Sequence, residues 1–149
     1  MRKIVNMSMY EFCLVLSRSD RAIRVLTARQ LESYDLTMME WLMLATVDTA
    51  PPKGIAMSGI ANTLDVTLPQ ITALATTLVK KKLVKQRINS RDRRSRKLSI
   101  TRTGKKVIED VDNAVNEAMR LWLGDIPAEQ LQAYIQTAQL IAIDKAVQL

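Results

Sequence analysis

The sequence predicts a mainly α-helical chain that carries one small β wing. Three observations support this. Apolar residues recur at helical spacing over long stretches at both ends of the 149 residues. Near the middle, two short strand-like runs (83–88 and 98–100) flank a turn loaded with arginine. The apolar volume comes from Leu, Ile, Val, Ala and eight Met, while aromatics make up only 4%.

Each element follows from local signals. A first helix is expected over 8–33, with Met9, Phe12, Cys13, Leu16, Ile23, Leu26 and Leu31 at helical intervals. Its early part, 12–16, is apolar on nearly every side, which calls for cover by a partner subunit. Thr37 can cap a second helix carrying Met39, Leu42, Met43 and Val47, ended by Pro51-Pro52-Lys53-Gly54. Ser58 can cap a short helix over 59–64 that buries Ile60, Ala61 and Leu64. Asp65-Val66 makes a turn, and Thr67 caps the next helix, whose inner side is Ile71, Leu74, Ala75 and Leu78. Pro69 falls in its first turn, where a missing N–H is harmless. This is the spacing of a helix-turn-helix, and the basic ribbon that follows adds a wing.

The last third is helical again. Thr101 to Gly104 opens a long helix with Val107, Val111, Ala114, Ala118, Met119 and Trp122 on one face. Gly124-Asp125-Ile126-Pro127 interrupts it, and a final helix shows Leu131, Ile135, Ala138, Ile141, Ala142 and Ala146. The chain therefore divides into an N-terminal dimerisation helix (1–36), a winged helix-turn-helix (37–104) and C-terminal dimerisation helices (105–149).

Charge locates the function. Residues 80–106 hold 13 of the 22 Lys and Arg and a single acid, Asp92, while the rest of the chain is net acidic. A positive field that local suits a nucleic-acid backbone. Other classes find little support. There is no histidine, one cysteine and no Gly-rich phosphate loop, and Glu109, Asp110 and Asp112 read as a solvated helix face. An enzyme, a cofactor and a metal site are not expected. The lone cysteine excludes an intrachain disulfide and fits a reducing cytoplasm. Glu11 and Arg18 break any signal-like start, and no run of 18 uncharged apolar residues occurs, so a soluble cytoplasmic protein is expected.

With Ile71, Leu74, Ala75 and Leu78 inside, the opposite face of that helix presents Thr67, Pro69, Gln70, Thr72, Ala73, Thr76, Thr77 and Lys80 to DNA. Gln70 sits where a recognition helix meets base edges, and glutamine can bond adenine in two places. It can equally close a capping box with Thr67. The three threonines offer hydroxyls to phosphates, and Lys80, Lys81, Lys82 and Lys85 offer charge. In the wing turn, Asp92 among Arg91, Arg93 and Arg94 makes sense as an internal partner that aims one guanidinium at the minor groove, or as an ordinary turn aspartate.

Asp92-Arg93-Arg94, followed by Leu98, Ile100-Thr101 and Gly104, resembles the wing of the MarR family of winged-helix transcriptional regulators. The likeness extends back through Leu64-Asp65-Val66-Thr67-Leu68-Pro69-Gln70-Ile71-Thr72 and Leu83-Val84. The resemblance implies a homodimer on a pseudo-palindromic operator, usually a repressor released by a small ligand or an oxidant. It also implies that Asp92 orients the wing, that Arg94 enters the minor groove, and that the helix from Thr67 reads the major groove. Ala73 departs from the pattern, since many members carry arginine there.

Two switches are suggested by the same resemblance. Cys13, 24 residues before Thr37, is placed like the reactive cysteine of the organic-hydroperoxide-sensing branch. The supporting tyrosine positions read Ser17, Thr27 and Met38 here, and Phe12, Leu14 and Leu16 would disfavour a thiolate, so a buried structural cysteine is expected. The other switch is an aromatic or anionic effector in a pocket formed by Met38, Trp41, Leu42 and Ala45, with Arg21 or Arg24 supplying charge. Those apolar residues can also be plain core. The alternatives to a ligand-released repressor are an oxidant-sensing regulator and an architectural protein that binds DNA without sequence preference. A protein-only interaction module is a further alternative.

Overall fold

The computed structural model describes residues 7–88 and 96–143. In chain order the elements are α1 (Met9–Glu32), α2 (Met38–Asp48), β1 (Ile55–Ala56), α3 (Met57–Leu64), α4 (Leu68–Lys80), β2 (Val84–Ile88), β3 (Arg96–Ile100), α5 (Arg102–Leu123) and α6 (Ala128–Ile143). The strands form one antiparallel sheet in the order β1-β3-β2.

Local chemistry sets most helix starts. Ser8, Thr37 and Thr67 are the N-caps of α1, α2 and α4, and each closes a capping box, with Glu11, Glu40 and Gln70 respectively. Such a cap is worth about 1 kcal/mol by satisfying amides the helix itself leaves unpaired. Between α3 and α4, Asp65 adopts the left-handed conformation (φ 55°), and the Val66 amide donates to the Ala61 carbonyl at 3.0 Å. That makes the tight turn of the helix-turn-helix.

The expected cap at Ser58 is not formed. The helix starts at Met57, directly after β1, and Ala56 supplies no side-chain bond. Ile55 and Ala56 are extended because they pair with Leu98 and Lys97 of β3, and the chain passes straight from that ladder into the helix. The expected two-stranded ribbon is thus three-stranded. Gly54 permits the approach: its φ is +82°, and a Cβ there would lie 2.5 Å from the Leu98 carbonyl oxygen.

The chain forms two compact units, one ending at Val115 and one beginning at Asn116. The first contains the core: Leu31, Met43, Leu44, Val47, Ile60, Ile71, Ala75, Leu78, Leu83, Val84, Leu98, Ile108 and Val111 are all buried. The expected inner face of α2 is shifted, with Leu42 37% exposed and Glu40, Met43, Leu44 and Val47 turned inward. The expected stripe of α5 is also rotated. Gly104, Ile108, Val111 and Val115 are its buried residues, because the helix start lies against the Leu83 carbonyl at a distance that only glycine tolerates. In the second unit, Leu121, Trp122, Ile126, Tyr134, Ile135, Leu140 and Ile141 are exposed.

Only Thr27 and Leu31 of α1 are buried. Its N-terminal half leaves Met9, Tyr10 and Val15 in the open, and Cys13 is exposed as well. The cysteine expected to be buried is thus exposed in the single chain, on the part of α1 for which the sequence calls for cover by a partner subunit.

Candidate nucleic-acid interface

The face of α4 opposite the core runs through Pro69, Gln70, Thr72, Ala73, Thr76 and Lys80, all exposed, with Thr77 half-buried and the cap residue Thr67 exposed at its start. Ile71, Ala75 and Leu78 anchor the other side, and Leu74 is half-buried there. The periodicity that buries one side leaves a flat polar strip on the other.

That strip is already hydrogen-bonded to itself. The hydroxyls of Thr72, Thr76 and Thr77 donate to the carbonyls of Leu68, Thr72 and Ala73, at 2.9, 2.9 and 3.3 Å. Phosphate oxygens accept but do not donate, so each hydroxyl must leave its carbonyl to bond one. Gln70 is half committed too. Its Oε1 accepts from the Thr67 amide and hydroxyl, both at 2.9 Å, leaving the side-chain NH2 facing outward as a donor. Two-point recognition of adenine uses both ends of the amide, so in this conformation Gln70 offers one point.

The lysines that follow divide in direction. Lys80 and Lys82 are exposed. Lys81, expected to meet phosphate, turns inward instead. Its ammonium donates to the Asp35 carbonyl and lies 3.3 Å from Asp35 Oδ2 and from both oxygens of the buried Glu40. Lys82 has a left-handed backbone (φ 60°), which turns the chain from α4 into β2. The Thr101 hydroxyl bonds the Lys82 and Leu83 carbonyls at 2.7 and 3.0 Å and accepts from the Gly104 amide at 2.9 Å. This ties the base of the wing to the start of α5.

In the wing, β2 and β3 pair from Val84↔Ile100 to Ile88↔Arg96. Lys85, Arg87 and Arg96 are exposed, and together with Lys80 and Lys82 they have no ion-pair partner among the described residues. These exposed cations on the wing strands and at the end of α4 concentrate positive potential on this part of the unit. Arg91, Asp92, Arg93 and Arg94 lie outside the described residues.

The expected effector residues differ in exposure. Arg21 is exposed, and Arg24 is paired with Asp20 at 2.8 Å. Met38 and Ala45 are half-buried, and Trp41 donates its indole N–H to Asp112 Oδ1 at 3.0 Å. A cleft of about 130 Å³ opens elsewhere, between the end of α2 and the outer face of the wing strands. The sequence reading missed it. Among the described residues no three Cys, Asp or Glu side chains group as metal ligands, and no helix is long and apolar enough to cross a membrane.

A helix-turn-helix with a basic β wing, its second helix open along one polar face, defines a winged-helix DNA-binding protein. The sequence model of the MarR family matches residues 34–95, from the end of α1 through the helix-turn-helix into the wing. Over that segment the chain is similar to the MarR family. Solved structures share the fold. A MarR-family transcriptional regulator from Rhodococcus sp. RHA1 superposes with a TM-score of 0.82 at 20% identity, over 95% of this chain and 99% of that one. CouR from Rhodococcus jostii RHA1, bound to p-coumaroyl-CoA, gives 0.78 at 23% identity over 88% and 91%. MepR from S. aureus, in complex with DNA, gives 0.74 at 19% identity over 95% and 100%.

Proposed function

We propose that this chain is a homodimeric, sequence-specific repressor that binds a pseudo-palindromic operator and is released by a small ligand. The observation that carries the reading is the open polar face of α4 set beside the exposed cations of the wing strands. In the dimer, two α4 helices would meet successive major grooves about 34 Å apart, as half-site geometry requires. Arg94 would enter the minor groove with Asp92 orienting it, and Arg91 and Arg93 would hold phosphates. Residues 1–36 and 105–149 would form the dimer, and the exposed apolar side chains of α1, α5 and α6 support this. A DNA-bound MepR and a ligand-bound CouR of the same fold support DNA and a small effector as partners. The setting is the cytoplasm, and the activity is binding without catalysis.

The test is binding of purified protein to DNA from upstream of its own gene, beside a scrambled duplex, across a salt series. A specificity ratio of roughly 10³ or more, largely lost in Arg94→Ala, is the expected result. Equal, steeply salt-dependent binding to that DNA, to the scrambled duplex and to sites selected from a random pool would sink the repressor reading in favour of an architectural protein. A second reading is release by oxidation at Cys13, which is exposed in the single chain. Peroxide-dependent release that Cys13→Ser abolishes would establish it.

A further inference from the structure

The first two turns of α4 offer little that is free to donate. The Thr72 hydroxyl gives its hydrogen to the Leu68 carbonyl, and the Thr67 hydroxyl gives its own to Gln70 Oε1, both at 2.9 Å. Leu68, Pro69 and Ala73, all exposed, carry no polar side-chain atom. Among the described residues of these turns, the side-chain donor left without an acceptor is the Gln70 NH2. Gln70 itself is exposed.

Chemistry fixes which end of that amide is free. The Thr67 backbone N–H can only donate, and it meets the tip of Gln70 at 2.9 Å, so the atom it meets is the oxygen. With the Thr67 hydroxyl as second donor, both lone pairs of Oε1 are in use. Gln70 therefore faces outward as a group that donates and does not accept.

The four bases answer such a group differently in the major groove. Guanine presents two adjacent acceptors, N7 and O6. Adenine presents one acceptor beside an amino group, thymine one acceptor beside a methyl, and cytosine a donor alone. From this match we infer that Gln70 makes guanine the preferred base at the position it meets, through its NH2 alone. One nitrogen bridges N7 and O6, as a lysine nitrogen does. Against adenine, one hydrogen finds N7 while the other opposes the amino group. Bonding adenine at two points would take Oε1 from both Thr67 donors and undo the cap of α4. The inference rests on the DNA-binding reading above and names what that site selects.

The experiment selects duplexes from a random pool with the full chain, and with its Gln70→Ala and Gln70→Lys variants once each shows the parent's circular-dichroism spectrum. One position in each half-site should be guanine for the parent, favoured about tenfold over adenine. Gln70→Lys, which also only donates, should keep that guanine, and Gln70→Ala should lose the preference. Base analogues then probe the unaltered protein on its selected site. Hypoxanthine at that position keeps N7 and O6 and should bind like guanine, whereas 7-deazaguanine lacks N7 and should bind about tenfold more weakly. Adenine at the Gln70-dependent position, no position that depends on Gln70, or affinity unchanged by 7-deazaguanine at every guanine of the site overturns the inference and leaves the DNA-binding reading standing. A parent protein that enriches no site overturns both.

Discussion

Lys81→Met tests whether the inward turn of that lysine braces the recognition helix. Methionine keeps the apolar stem and removes the ammonium that joins the end of α4 to Asp35 and Glu40. The Glu40 side chain is 6% exposed, and among the described residues its carboxylate keeps in the variant only the Thr37 amide, at 2.8 Å, as a strong donor. Two charges 3.3 Å apart attract by about 5 kcal/mol at an effective dielectric of 20, before any desolvation is counted. Breaking a fully buried pair costs about 3–5 kcal/mol. Lys81 is 24% exposed, so water can partly replace it, and the 3.3 Å separation is long for a charge-assisted bond. The expected loss is about 2 kcal/mol, within the range of hydrogen bonds to charged groups. For a chain of this length that lowers Tm by roughly 4–8 °C. The assay is urea and thermal unfolding at fixed protein concentration, in a double-mutant cycle with Glu40→Gln, whose amide oxygen can still accept from Thr37. A coupling energy of about 1–2 kcal/mol is expected. Stability of Lys81→Met within about 0.5 kcal/mol of the parent, or zero coupling, would refute the reasoning.

The same geometry separates neighbouring lysines on DNA. Lys80→Met should lower the slope of log affinity against log salt by about 1, while Lys81→Met leaves it unchanged, and equal slopes in the two variants would contradict the assigned directions. Gln70→Glu should preserve stability, because a carboxylate caps the start of α4 as well as an amide does, yet weaken operator binding by about 10- to 100-fold through loss of the NH2 donor; retained affinity in a filter or fluorescence assay would limit Gln70 to capping. Gly104→Ala should cost about 3 kcal/mol or prevent folding, since the added Cβ would lie 2.0 Å from the Leu83 carbonyl oxygen, and chemical denaturation reads this directly. The Ser8 amide and hydroxyl hold the Glu11 carboxyl below its ordinary value of 4.5. Its support for the start of α1 is therefore complete above pH 4.5 and fades as pH falls through the lower folded value. Protection of the first-turn amides of α1, after correction for the intrinsic pH dependence of exchange, should fall on acidification in a way that Glu11→Gln removes, and fraying that grows with rising pH would contradict the sign.

What could be read in advance was local. Thr37 and Thr67, each with Glu or Gln three residues on, carry their structural consequence within one turn, and the helices start there. The inner side of α4 was legible because four apolar residues keep one period. What escaped depended on distant partners. β1 is two residues long and exists only because Leu98 and Lys97 pair with it, so no alternation could announce it, and its presence displaced the cap expected at Ser58. The rotation of α5 is set by Gly104 against a carbonyl 21 residues earlier in the chain, which outweighed the apolar stripe seen from Val107 to Trp122. Lys81 looked like its neighbours, and only the fold brought Glu40 within reach. At Gln70 both readings drew on the same side chain, and the geometry divides it: the oxygen caps and the nitrogen faces out.

The threonines of α4 bear on how such a helix discriminates. Each hydroxyl is bonded to its own backbone, so on the proposed reading a contact to phosphate or base would exchange one bond for another. At a wrong base the hydroxyl swings back to its carbonyl, and no polar group is stranded. If α4 reads DNA as proposed, mismatches opposite its threonines would weaken binding by small steps, and a set of related sites, each held with a graded occupancy, is what such a helix would suit.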